Sequence, residues 1–224
     1  MEKKLDSYDA LMEEWQSHRP EYEYFSDDGI LIDGIWEKTF PKIMFLLKEP
    51  NSDFTKIRGK AYQPIEGNSR LFWRNINIWQ YIITEYWNNR TPLIEKISVV
   101  KENEVNSIAY VNLKKYNENN SISDPRNILD YVKDDCDFLQ RQIELINPEI
   151  IVCGRTFYFY KELFSTQLIS ENVYRTKNRL IIDFYHPACR IGYNETFHRL
   201  NDIISNDIVR HNMAEIESCY NHTV

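Results

Sequence analysis

The chain of 224 residues and 27.0 kDa is long enough to bury a core as one domain, and its 42% hydrophobic and 27% charged residues, with 6 Gly and 8 Pro, exclude collagenous, low-complexity and largely disordered chains. The formal charge of −7 speaks against a simple phosphate-binding surface, but residues 1–39 hold eleven acids and four bases while residues 40–224 hold twenty-three of each, so the excess sits in one segment. Apolar runs fall far short of the ~20 residues that span a bilayer, and no apolar stretch of a secretory signal follows the first lysines, which gives the expectation of a cytoplasmic protein without a membrane partner.

Residues 6–17 have helical spacing with Leu11, Met12 and Trp15 on one face, and residues 29–34 read as a short extended piece or hairpin between glycines. These form an acidic N-terminal part, 1–39, ahead of a core over 40–212, all within one domain covering 1–224. The uninterrupted apolar run Ile43–Leu47 suits a strand buried on both faces and ended by the proline turn at Lys48, Glu49 and Pro50. The same pattern recurs over 108–113, 149–154 and 180–185, and the segments 71–87, 124–146 and 155–164 are long or periodic enough to be crossover helices. Alternating strands and helices predict an α/β fold, a three-layer α/β/α sandwich around a central four-stranded parallel sheet.

Ligands of such sheets bind beyond the carboxyl ends of the strands. That rule selects residues 48–51, 112–115, 154–156 and 186–190, and brings Glu49, Asn112 and His186 together from three strand ends. A carboxylate there could position water or stabilise a developing cation, an amide could read a donor–acceptor edge, and an imidazole could bind a developing oxyanion. Taken singly, Glu49 could equally be a solvated turn residue, Asn112 an end cap, and His186 a satisfied histidine before a turn-setting proline. Lys48, Lys56, Arg58, Lys60, Arg70 and Arg74 supply a candidate basic stretch, with a solvated charged surface as the alternative. The cysteines Cys136, Cys153, Cys189 and Cys219 form no C-x-x-C pair and His186 with Cys189 has no second pair at zinc spacing, so no metal site is expected.

Together these segments resemble the uracil-DNA glycosylase superfamily, most nearly its branch of thermostable bacterial and archaeal enzymes. Phe45-Leu-Leu-Lys-Glu-Pro-Asn51 resembles the first motif, Val111-Asn-Leu-Lys-Lys115 the strand whose asparagine reads the base, residues 136–154 the following helix and strand, and Tyr185-His-Pro-Ala188 with Arg190 the last motif. The resemblance covers roughly residues 40–205. It implies that Asn112 pairs with a flipped pyrimidine, that His186 stabilises the departing base as an anion, and that Glu49 stands where one branch carries a water-positioning aspartate. Phe72 or Trp73 would stack on the base, with core packing as the alternative, and Lys48, Pro50, Asn51, Pro187 and Arg190 would line the substrate site.

Several positions depart from the family pattern. Leu47 replaces the leading glycine of the first motif, Lys48 reverses the charge of a glutamate, Glu49 is one methylene longer than aspartate, and Asn51 stands where glycine, alanine or tyrosine is usual. Cys136 occupies one position of the iron–sulfur branch, but residues 1–135 contain no cysteine, so no cluster and no other cofactor is expected. The resemblance therefore implies a cofactor-independent, monomeric DNA glycosylase that hydrolyses the N-glycosidic bond of uracil or a related damaged base in DNA. The alternative is a weak or inactive member that binds a nucleobase, nucleotide or nucleic acid without cleaving it. The acidic segment could also recruit or mask a protein partner, or repel nonspecific DNA.

Overall fold

The computed structural model describes residues 7–22, 24–50, 57–62, 70–116 and 123–221. Helix α1 (Tyr8–His18) starts at Ser7, whose hydroxyl accepts the Ala10 N–H, and buries Leu11, Met12 and Trp15 as the spacing predicts. It is followed by a two-residue strand β1 (Gly29–Ile30), the short helix α2 (Asp33–Trp36) and strand β2 (Ile43–Leu47). The 18-residue helix α3 (Arg70–Trp87) leads through the small helix α4 (Ile97–Val100) to strand β3 (Ala109–Asn112). Helices α5 (Pro125–Asp134) and α6 (Cys136–Ile146) then precede strand β4 (Ile150–Gly154) and helix α7 (Phe157–Leu163). Strands β5 (Gln167–Ser170), β6 (Val173–Thr176) and β7 (Arg179–Phe184) follow, and helices α8 (Tyr193–Ile204) and α9 (Asp207–Asn221) end the described chain.

The strands form one mixed sheet of seven in the order β1-β3-β2-β4-β7-β6-β5. This corrects the expected four-stranded parallel sheet. The four anticipated strands are its centre and pair in parallel, β3 with β2, β2 with β4 and β4 with β7, while β1 and the β5–β6 hairpin add antiparallel edges. The hairpin was illegible because it is an edge: Gln167 and Leu168 are exposed, and the tight turn runs through Asn172 at φ 61°.

Alternation along the central strands divides the core between the two faces. Ile43, Phe45 and Leu47 point to one side with Ile76, Trp79 and Ile83 of α3 and Phe197 and Leu200 of α8. Met44 and Leu46 point to the other, with Trp15 of α1, Ile143 of α6 and Phe159 of α7. Helices therefore cover both faces, which is why β2 and β4 read as unbroken apolar runs.

Two helix predictions also change. The segment 124–146 is two helices rather than one, broken at Asp135, whose buried carboxylate accepts Arg19 Nη2 at 2.6 Å and so draws the chain toward the N-terminal segment. Helix α7 begins at Phe157 and not at residue 155, because Arg155 takes a left-handed φ of 61° in the turn leaving β4. No helix of the described residues is long and apolar enough to cross a membrane.

Candidate functional site

The carboxyl ends of β3, β2, β4 and β7 lie side by side. Leu47 pairs in register with Asn112, and the two chains stay hydrogen-bonded past the strands through Leu113 N–H to Leu47 O at 2.9 Å and Lys114 N–H to Lys48 O at 2.9 Å. Glu49 is thereby set beside Lys114, whose Nζ stands 3.6 Å from Glu49 Oε2 and 3.2 Å from Asn127 Oδ1, over the Tyr131 ring at 4.4 Å. The ammonium and the carboxylate are both largely buried, so their attraction is little screened and draws Glu49 toward Lys114 at the strand end.

Asn112 is fully buried, and its environment is more ordered than an end cap would need. Asp28 Oδ2 accepts both its backbone N–H, at 2.8 Å, and its side-chain Nδ2–H, at 3.0 Å. The amide oxygen Oδ1 is buried with no hydrogen-bond partner among the described residues. Leaving such an oxygen unpaired costs about 1–3 kcal/mol, a cost that a ligand N–H arriving at Oδ1 would remove. Beside the same amide lies the Tyr110 hydroxyl, which burial drives well above the ordinary tyrosine range against the opposing Asn112 amide, so it stays a protonated donor.

His186 follows β7 and is partly buried. Its Nδ1 accepts the Ala188 N–H at 3.2 Å, which leaves the proton of the neutral ring on Nε2. Burial, and then the charge of Lys48, push its pKa down to about 4. At neutral pH the ring is therefore an uncharged Nε2–H donor. The turn that carries it is tied down by Asn75 of α3, whose Nδ2 donates to Pro187 O at 2.7 Å.

An aromatic wall closes this end of the sheet. The Phe72 ring is 6.0 Å from His186 and 5.7 Å from Tyr110 between centroids, whereas Trp73 stacks on Tyr62 at 4.2 Å. Of the two aromatics singled out from the sequence, Phe72 thus borders the histidine and Trp73 belongs to a second stack. The Leu47 side chain has room because Gly154 faces it: a Cβ at 154 would meet Leu47 Cδ2 at 2.5 Å and Pro187 Cδ at 3.3 Å.

The remaining expected residues divide. Lys48 is close enough to act on His186, Pro50 is buried in the turn after β2, and Pro187 is buried with its carbonyl used by Asn75. Arg190 is exposed beyond the histidine turn, and Asn51 lies outside the described residues. Sequence reasoning missed Asp28, Tyr110 and Asn75. The run Ser26, Asp27, Asp28 reads as part of an acidic segment, and nothing local marks Asp28 as buried. Within the basic stretch, Arg58 is paired with Asp9 and Asp27, and Arg74 with Glu102.

A separate cleft of about 450 Å3 opens on the other side of β7, lined among others by Arg155, Asp183, Tyr185, Arg199 and Asp202. It contains none of Glu49, Asn112 or His186, and its mixed charges do not converge on one ligand chemistry. Among the described residues, no group of three or more His, Cys, Asp or Glu could hold a metal ion. No protein-family model matches the chain, and no curated protein shows significant similarity to it.

Proposed function

We propose that the chain is a uracil-DNA glycosylase-like hydrolase that cleaves the bond between deoxyribose and uracil, or a related damaged base, in DNA. The observation that carries this reading is the orphaned Oδ1 of buried Asn112 at the same sheet end as the neutral His186 Nε2–H and the Glu49 carboxylate. A base must leave the stack to reach such a site. Once there, its imino N–H meets Asn112 Oδ1, and its O2 meets His186 Nε2–H. As the glycosidic bond breaks, charge develops on that oxygen, and a fixed donor at the site strengthens with it. Glu49, held by Lys114, faces the oxocarbenium-like sugar or aligns water for attack. The expected fold is the three-layer arrangement of that superfamily, and the expected partner is DNA carrying the base.

A binding-only role has one specific observation in its favour, the Leu47 side chain in place of a glycine beside His186 and Pro187. Both readings are decided by alkali-revealed strand cleavage of single- and double-stranded oligonucleotides containing uracil, with hypoxanthine and undamaged controls. Cleavage at uracil that is lost in folded Asn112→Ala and His186→Ala variants supports the glycosylase. Tight binding of uracil-containing DNA with no abasic product supports the binding role, and unchanged turnover in both variants overturns the site.

A further inference from the structure

We propose that Asp28, carried by the N-terminal segment, is a positioning residue that locks the side-chain amide of Asn112 in the one orientation that reads an imide base edge. The inference rests on the proposed glycosylase reading and adds what sets its selectivity. Asp28 is fully buried and, as a carboxylate, can only accept. Its Oδ2 takes the Asn112 N–H and Nδ2–H, while its Oδ1 accepts Lys115 Nζ at 2.6 Å and Gln142 Nε2 at 3.0 Å. Lys115 Nζ also donates to Asn112 O at 2.7 Å and Gln142 Oε1 at 2.9 Å, and so fills all three of its donors. Burial pulls this ammonium below the ordinary lysine range, against the attraction of Asp28. Its three acceptors require it to be charged.

The network reaches the first helix. Tyr8 Oη donates to Asp28 O at 2.6 Å and accepts from Gln142 Nε2 at 2.6 Å. Gly29, at φ 141°, leaves the room that this hydroxyl occupies, since a Cβ there would collide with it. The oxygens of Asp28 are thus all engaged, and flipping the Asn112 amide would set Oδ1 against Oδ2 of a carboxylate.

Sheet order then gives the amide a direction. Asp28 precedes β1, at the edge beyond β3, whereas His186 follows β7, three strands away on the opposite side of Asn112. The Nδ2 group is therefore drawn away from His186. Read from the histidine, the site presents a donor (Nε2–H), an acceptor (Oδ1) and a donor (the Tyr110 hydroxyl, against which the second Nδ2–H of Asn112 lies). That order matches acceptor–donor–acceptor edges such as O2, N3–H and O4 of uracil. Cytosine, with an acceptor at N3 and a donor at N4, matches it only at O2.

In Asp28→Asn an oxygen kept toward Lys115 sets the new NH2 against the Asn112 backbone N–H and Nδ2–H, donor against donor, and so removes the acceptor that fixes the Asn112 amide. Excision of uracil relative to cytosine, measured as the ratio of kcat/KM on matched single-stranded oligonucleotides, should fall by roughly 10- to 100-fold in this variant. Loss of both activities in the same proportion, or an unchanged ratio in folded protein, overturns the proposal. A second measurement needs neither catalysis nor a variant of Asp28. The Asn112 side-chain NH2 signals in the full chain, assigned by their absence in Asn112→Ala, should exchange with solvent at least about 100-fold more slowly than those of exposed asparagines. Fast exchange in the folded wild type overturns the lock. A wild type that cleaves no uracil but shows the slow exchange keeps the lock and refutes the glycosylase reading instead.

Discussion

Replacing His186 by Asn tests the proton state of the site through stability. The native imidazole titrates at about 4, because of burial and then Lys48, against 6.5 for an unperturbed ring. Between those values the unfolded chain binds a proton that the native chain does not, so stability rises with pH across this window. The contribution is complete above about pH 6.5, is lost as pH falls toward 4, and changes no further below it. At about 1.4 kcal/mol per unit the ceiling is roughly 3.5 kcal/mol, and partial exposure of the ring to solvent reduces the expectation to about 1–2 kcal/mol. Urea unfolding of wild type and His186→Asn at about pH 7, 5.5 and 4.5 isolates the term, since every other titrating group is common to both. The wild type should lose about 1–2 kcal/mol more than the variant on going from pH 7 to 4.5. Equal losses would refute the argument that this ring is neutral by virtue of its surroundings, and with it the assignment of Nε2–H as a neutral donor.

Three further outcomes are expected. Gly154→Ala places a methyl 2.5 Å from Leu47 Cδ2 and should cost about 1–3 kcal/mol; Leu47→Ala should cost about 2–5 kcal/mol, and the double variant at least about 1 kcal/mol less than their sum, so strict additivity in urea unfolding would deny the contact. Glu49→Gln keeps the shape of the side chain beside Lys114 and should slow single-turnover excision at least about 100-fold with little change in thermal midpoint, whereas an unchanged rate removes Glu49 from the chemistry. Deleting residues 1–39 removes Leu11, Trp15 and Asp28 together and leaves buried Lys115 uncompensated, so the loss should exceed about 3–5 kcal/mol; a truncated chain with a native urea midpoint would show the segment to be an independent appendage.

The central strands were legible because burial on both faces writes itself into consecutive residues: 43–47 and 150–154 contain no polar side chain. From there the strand-end rule was enough to nominate Glu49, Asn112 and His186, which the fold sets along one end of the sheet. Residues that act through long-range pairing left no such trace. Asp28 and Lys115 are separated by 87 positions, and each sits in a polar run where a solvent-facing charge is the ordinary expectation. The room that Gly154 leaves for Leu47 is similar in kind, since it is visible only once the two strands are known to be neighbours. Trp73 illustrates the opposite limit: adjacent aromatics on a helix announce burial, but which ring faces the histidine depends on the crossing of α3 over the sheet, which no local pattern encodes.

The same pairing changes the meaning of the acidic segment. Its excess charge suggested repulsion of DNA or a masked partner, yet Asp9 and Asp27 are spent on Arg58, Glu14 on Arg141 and Asp28 on Lys115. Of these acids only Asp28 is a counter-ion of the core, while Asp9 and Glu14 pair at the surface, and Asp9 and Asp27 reduce the positive field of Arg58 in the candidate basic stretch. Near His186 burial first, and then the charge of Lys48, keep the imidazole neutral, and that charge favours an anion developing next to it. Lys114, one strand away, is matched to Glu49. A departing base anion and a cationic sugar would therefore each meet a group of the opposite character at fixed positions, with the donor and the carboxylate supplied by different strands. That separation of charge, and not the overall balance of the chain, is the electrostatic feature the proposed chemistry depends on.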